Sequence, residues 1–143
     1  ERRLAHSMAD SLDIRLNHLT DPVSSLSGGN QQKTVLGRWL ATRPKLMILD
    51  EPTHGVDVGA KAEIYALIRS LAAEGMGVIL ISSELPEVLA LAHRIVVMHE
   101  GRVTGILPRS EAGEEVLMAY ATGVRDDFAA APDQPPAEEV PVS

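Results

Sequence analysis

Apolar positions at the start of the chain fall at helical spacing. Leu4, Met8, Leu12 and Leu16 are each four residues apart, which predicts an amphipathic helix over 1–17. Asp21-Pro22 breaks that pattern. A second helix is expected from Ser27-Gly28-Gly29 to about Ala41, through Val35, Leu36, Trp39 and Leu40, with Ser27 as its N-cap. After Pro44 the run Leu46-Met47-Ile48-Leu49 stops at Asp50-Glu51-Pro52. An unbroken apolar run of that kind fits a strand buried on both faces, as in a parallel sheet. A helix over 58–73 carries Ile64, Leu67, Ile68 and Leu71 on one face, and Gly75 and Gly77 punctuate its end. A second buried strand follows over 78–81. Strand, helix and strand in this order predict a parallel βαβ unit. A short helix over 86–92, a strand over 95–98, a tight turn at Glu100-Gly101, a return strand over 102–107 and a helix over 110–121 complete the pattern. No internal repeat is visible.

Composition narrows the picture. Hydrophobic residues make up 45% and aromatics 3%, so the core must be aliphatic. The absence of cysteine excludes a disulfide scaffold and a thiolate zinc site. The net charge of −7 is unevenly placed: residues 126–143 hold Asp126, Asp127, Asp133, Glu138 and Glu139 and no Lys or Arg, leaving about −2 on the rest. With four prolines, that end reads as a disordered acidic tail, taken as 124–143. The nearly neutral body offers no large basic patch, which argues against a nucleic-acid partner. No apolar run approaches the roughly 18–20 residues that cross a bilayer, and Glu1-Arg2-Arg3 precedes no signal-peptide core. A soluble, cytoplasmic chain is expected, with any membrane link made through a partner.

Two stretches carry candidate chemistry. In Leu26-Ser27-Gly28-Gly29-Asn30-Gln31-Gln32-Lys33, glycines permit close backbone approach, and the free N–H groups and dipole of a helix start favour phosphate. The plainer reading is a helix cap after a flexible loop. In Leu49-Asp50-Glu51-Pro52-Thr53, two acids stand at the carboxyl end of a predicted parallel strand, where α/β sheets bind ligands. Asp50 could hold Mg²⁺, and Glu51 could polarise an attacking water. The plainer reading is a polar strand end facing solvent. His54 follows this stretch closely. His6, His18, His93 and His99 lack metal-ligand spacing and read as surface or packing residues, and Trp39 reads as core.

Taken together and in order, the two stretches and Gly55-Val56-Asp57 resemble the ABC ATPase family: its signature motif, Walker B strand and D-loop. The resemblance covers roughly 1–123. It implies an α/β fold, part of a P-loop NTPase domain with a remnant of the helical subdomain at its start. Asn30-Gln31-Gln32-Lys33, Val56-Asp57-Val58-Gly59-Ala60-Lys61 and Ile81-Ser82-Ser83-Glu84-Leu85-Pro86-Glu87-Val88 look like one subgroup, the ATPase subunits of bacterial ribose, galactose and xylose importers. In that subgroup two nucleotide-binding domains are fused, and this sequence looks like the second.

The resemblance implies a set of roles. ATP with Mg²⁺ would lie between the Walker A of a partner domain and the signature motif here. Ser27, Gly28, Gly29, Asn30 and Gln31 would face that nucleotide, with Asp57 and Ser83 also at nucleotide sites, Asp50 on the metal and Glu51 as catalytic base. Membrane permease subunits and, indirectly, a sugar-binding protein would be the further partners, with the chain peripheral on the inner face of the membrane. Two departures stand out. No G-x-x-x-x-G-K-[ST] occurs in the sequence, so the loop that cradles phosphates is absent from it. The family's usual switch histidine aligns with Ser83, which has no imidazole to offer a γ-phosphate. The subgroup's first half usually keeps that histidine and has a weaker signature motif. Other readings are a nucleoside importer, a nucleic-acid-linked ABC ATPase, and a non-catalytic ABC fragment.

Overall fold

The structure is a computed structural model and describes residues 2–128. The chain divides into two compact units, 1–91 and 92–143.

The first unit holds α1 (Arg2–Ser11), α2 (Gly28–Leu40), β1 (Leu46–Asp50), α3 (Val58–Ala73), β2 (Gly77–Ile81) and α4 (Leu85–Leu91). β1 and β2 pair in parallel, from Leu46 opposite Gly77 to Asp50 opposite Ile81, with α3 as the connection between them. The expected βαβ unit is present. Leu36 of α2, Met47 and Leu49 of β1, and Ile64 and Ile68 of α3 form the buried aliphatic core. Leu40, Leu67, Val78, Leu80 and Leu91 pack around it.

Two expectations need correction here. The apolar strands are covered on one face only. Leu46, Ile48, Ile79 and Ile81 alternate with the core residues and lie exposed, Ile48 at 62%. A period-2 element sends alternate side chains to opposite faces, and the described residues supply a layer for just one of them. The first helix also stops at Ser11 rather than Asn17. Asp13 takes a left-handed backbone, φ 48°, and the chain beyond it is held by tertiary hydrogen bonds. The Asp13 carbonyl accepts from Lys33 Nζ, and Arg15 N–H donates to Asn30 Oδ1.

The second unit contains β3 (Arg94–His99), β4 (Arg102–Pro108) and α5 (Glu114–Ala121). The hairpin is antiparallel and turns at Glu100 and Gly101, both with positive φ (47° and 77°). Left-handed backbone at both central residues suits the twist of a two-residue hairpin turn, and glycine adopts it without a Cβ penalty. Ile95, Val97 and Leu107 are buried, as are Leu117 and Tyr120 of α5. The Tyr120 ring lies so close to Gly105 that a Cβ there would stand 2.7 Å from it. The last helix begins at Glu114 rather than Ser110, after a short 3-10 turn over Arg109–Glu111. Residues 124–128, placed by composition in the tail, make specific contacts. Tyr120 donates to Asp127, the Arg125 guanidinium stacks 4.6 Å from the Tyr120 ring, and Asp127 N–H donates to the Thr104 carbonyl. Burial, and then the Asp127 carboxylate, push the Tyr120 phenol up. The rest of the expected tail, 129–143, lies outside the described residues.

Trp39 is not core. It is 59% exposed on α2, with Arg38 over its ring at 5.9 Å. No described helix is long and apolar enough to cross a membrane.

Candidate nucleotide site

The thirteen-residue helix α2 starts where the sequence placed it. Ser27 is its N-cap, and the Ser27 Oγ accepts from the Asn30 backbone N–H and from Asn30 Nδ2 at 3.0 Å. Ser27 and Gly28 are exposed. The N-terminus therefore presents a hydroxyl and orphan N–H groups to solvent, which is the chemistry an anion needs. Gly29 is different. It is buried, and a Cβ on it would sit 2.5 Å from Cβ of Ala60 on α3. Its lack of a side chain permits the two helices to touch. Gln31 turns back on the loop and donates from Nε2 to the Leu26 carbonyl at 2.8 Å.

The second group of residues lies at the carboxyl ends of β1 and β2. Asp50 closes β1 and is exposed. Glu51 N–H continues the ladder to the Ile81 carbonyl, and Glu51 itself takes φ 46°. That conformation is uncommon for a residue with a Cβ, and it turns the side chain toward the loop after β2. There Glu51 Oε1 accepts from Ser83 N–H at 2.8 Å. The donor is the Ser83 backbone. Asp57 caps α3, with Oδ1 accepting from Ala60 N–H at 3.0 Å. His54 is exposed in the turn between.

The structure thus joins Glu51 to Ser83, and Ser27 to Asn30. The turn 51–57 links the two groups, bringing the Gly55 carbonyl within 3.8 Å of a Cβ position on Gly28. Sequence reading missed the residues that hold this frame. Lys33 is 3% exposed and reaches Glu63 Oε2 on α3 at 2.6 Å. Thr53 donates to the fully buried Glu87 of α4 at 2.8 Å. Lys61 pairs with Glu84 at 2.6 Å. The Glu84 hydrogen bond, above all, raises the Lys61 ammonium above its ordinary value. A lysine in the middle of a helix reads as solvated, so pattern alone gave no sign of Lys33.

The Lys33 hydrogen bond holds the Glu63 carboxyl below its ordinary value of 4.5. A lowered carboxyl adds stability above the unfolded value, and that stability is lost as pH falls through the folded one. Glu63→Gln should lower the melting temperature of the full-length protein by roughly a few degrees near neutral pH. The difference from wild type should vanish under acid, below the ordinary carboxylate range. Lys33→Met should cost less, because it removes the buried charge instead of stranding it. Melts of both variants across pH check this; a larger loss for Lys33→Met would refute it.

For Mg²⁺, no described cluster of three or more His, Asp or Glu side chains could serve as a cage. The fit is nonetheless sound for an ion that takes one or two carboxylates and completes its shell with water and substrate phosphates. Asp50 is such a carboxylate.

The ABC transporter family profile matches residues 2–54, a span that includes the whole signature stretch and Asp50-Glu51. The ribose import ATP-binding protein RbsA 2 of Streptomyces avermitilis is 56% identical over 123 residues, covering 86% of this chain and 24% of its own. The ribose import ATP-binding protein RbsA 2 of Rubrobacter xylanophilus is 55% identical over 134 residues, covering 94% and 26%. This chain belongs to the ABC transporter family. As an ABC transporter segment it spans about a quarter of the length of these curated relatives. Among solved structures, the ADP conformation of MJ1267, an ATP-binding cassette of an ABC transporter, matches with a TM-score of 0.66 at 30% identity. That match covers 83% of this chain and 45% of the cassette. A nucleotide-free ATP-binding cassette from an ABC transporter gives 0.68 at 29%, covering 82% and 45%. The α/β architecture of the ABC cassette is thus common to this chain and those structures.

Proposed function

We propose that this chain is part of an ATP-hydrolysing module that energises monosaccharide import, and that it supplies the signature motif to ATP held by a partner domain. The observation that carries the reading is the exposed start of α2. Ser27 and Gly28 present a hydroxyl and backbone N–H groups. An exposed helix end of this kind suits an anion brought to it by a partner. Such a contact exists only while the γ-phosphate is present, so its free energy can favour closure of the two domains.

In this scheme Ser27 donates to the γ-phosphate, and the N–H groups around Gly28 and Gly29 add to the field of the helix end. Asp50 accompanies Mg²⁺ at the site built on β1. Glu51, held by Ser83 N–H, keeps its second oxygen free to orient water. With no imidazole at position 83, that site lacks one γ-phosphate contact. The ribose import names of the relatives support a monosaccharide as cargo, permease subunits and a sugar-binding protein as partners, and a place at the cytoplasmic face of the membrane.

The test is ATP-driven uptake of ribose by vesicles holding the full-length protein with its permease. Uptake should need both ATP and Ser27, and uptake unaffected by Ser27→Ala would sink the reading. A companion expectation concerns the 143-residue chain alone. It should bind Mg-ATP weakly, because the loop with most phosphate contacts is absent from it. Calorimetry giving a low-micromolar constant, about −8 kcal/mol, would contradict this.

A further inference from the structure

We propose that Asn30 is a positioning residue that aims the Ser27 hydroxyl proton outward, at bound phosphate. The inference rests on the reading of Ser27 as a phosphate contact. Its basis is the direction of three hydrogen bonds. The Arg15 backbone N–H lies 3.1 Å from one end of the Asn30 side chain. A backbone N–H can only donate, so the end facing it is the oxygen, Oδ1. The amide nitrogen must then face the other way, and it lies 3.0 Å from Ser27 Oγ. The Asn30 backbone N–H also donates to that oxygen, at 3.4 Å. A serine hydroxyl has two acceptor sites and one proton. Both acceptor sites are taken by donors from Asn30, so the proton cannot point back into the helix. It is left for an acceptor on the exposed side of Ser27.

The arrangement also explains why the loop before α2 matters. Arg15 N–H fixes the amide against a flip, and the adjoining Asp13 carbonyl is pinned by buried Lys33. An amide free to rotate would offer Ser27 its oxygen half the time and draw the hydroxyl proton inward. Asn30 itself is half-buried, with Oδ1 on the Arg15 N–H and Nδ2 on Ser27 Oγ. In this proposal it acts through Ser27.

A double-mutant cycle in the full-length protein tests this by steady-state ATP hydrolysis. Asn30→Ala should lower kcat roughly tenfold, with little change in KM. In a Ser27→Ala background the same substitution should cost less than about twofold, because its target is gone. Equal losses in both backgrounds would overturn the inference and leave the Ser27 reading intact. A wild-type rate in Asn30→Ala overturns it as well. A wild-type rate in Ser27→Ala removes the phosphate contact, and the inference falls with it. Should Asn30→Ala melt the domain, Asn30→Asp serves instead. It keeps an acceptor for Arg15 N–H but accepts the serine proton, so it should lose at least as much activity as Ser27→Ala. Full activity there overturns the proposal.

Discussion

Gly28→Asp is expected to slow ATP hydrolysis by the full-length protein about 100-fold, ~2.7 kcal/mol in barrier, while Glu51→Gln costs less than about tenfold. The two sites differ in what each variant removes. A side chain at Gly28 meets nothing closer than the Gly55 carbonyl at 3.8 Å, so the fold accepts it. Its carboxylate would stand at the helix end proposed to receive a γ-phosphate, where like charge repels and the favourable field of the N–H groups is cancelled. Glu51→Gln keeps the oxygen that accepts from Ser83 N–H, so the turn stays in place. In the proposed scheme it deletes a base only from the site with Ser83 in place of a histidine. Steady-state rates of the two variants decide the matter. Abolished turnover in Glu51→Gln beside a mild Gly28→Asp would mean that the site on β1 does the hydrolysis without an imidazole.

The second large effect falls on stability. Gly29→Ala should destabilise the protein by about 1–3 kcal/mol, because its new methyl would lie 2.5 Å from Cβ of Ala60. Ala60→Gly alone should cost about 0.5–1 kcal/mol from helix propensity. Combined, the two should recover most of the loss, since the second change empties the space the first one fills. Denaturant melts of the four proteins test this. Additive losses would show that the contact between α2 and α3 is not what demands glycine. The pair also separates two uses of adjacent glycines. Gly28 is open, and a substitution there reports on ligand; Gly29 is closed by α3, and a substitution there reports first on packing.

Much of this was legible in the sequence. The order of elements follows from the apolar periods, and Ser27 and Glu100-Gly101 announce a cap and a turn by residue type alone. The signature stretch and the Asp50-Glu51 pair were readable as candidates from residue type and from their place at a predicted helix start and strand end. What stayed hidden depends on contacts distant along the chain. The end of α1 is set by Lys33 and Asn30, some twenty and fifteen residues further on. Periodicity over 1–17 carries no trace of them. Trp39 looked like core because large aromatics are usually buried, but its face of α2 is the one the described residues leave open. The strand runs looked doubly buried because hydrophobicity records what a strand can cover, not which layer is present. The inward use of Asn30 was hidden too, since an amide after two glycines reads equally well as a ligand contact.

The open face of the β1–β2 pair has a thermal consequence. Covering Leu46, Ile48, Ile79 and Ile81 is a purely apolar burial, with no ion pair or side-chain hydrogen bond among those four residues. Near room temperature such burial is driven by entropy and carries a large negative heat-capacity change. Whatever packs there is therefore held less firmly in the cold than in the warm. A layer seated on this face would therefore loosen on chilling.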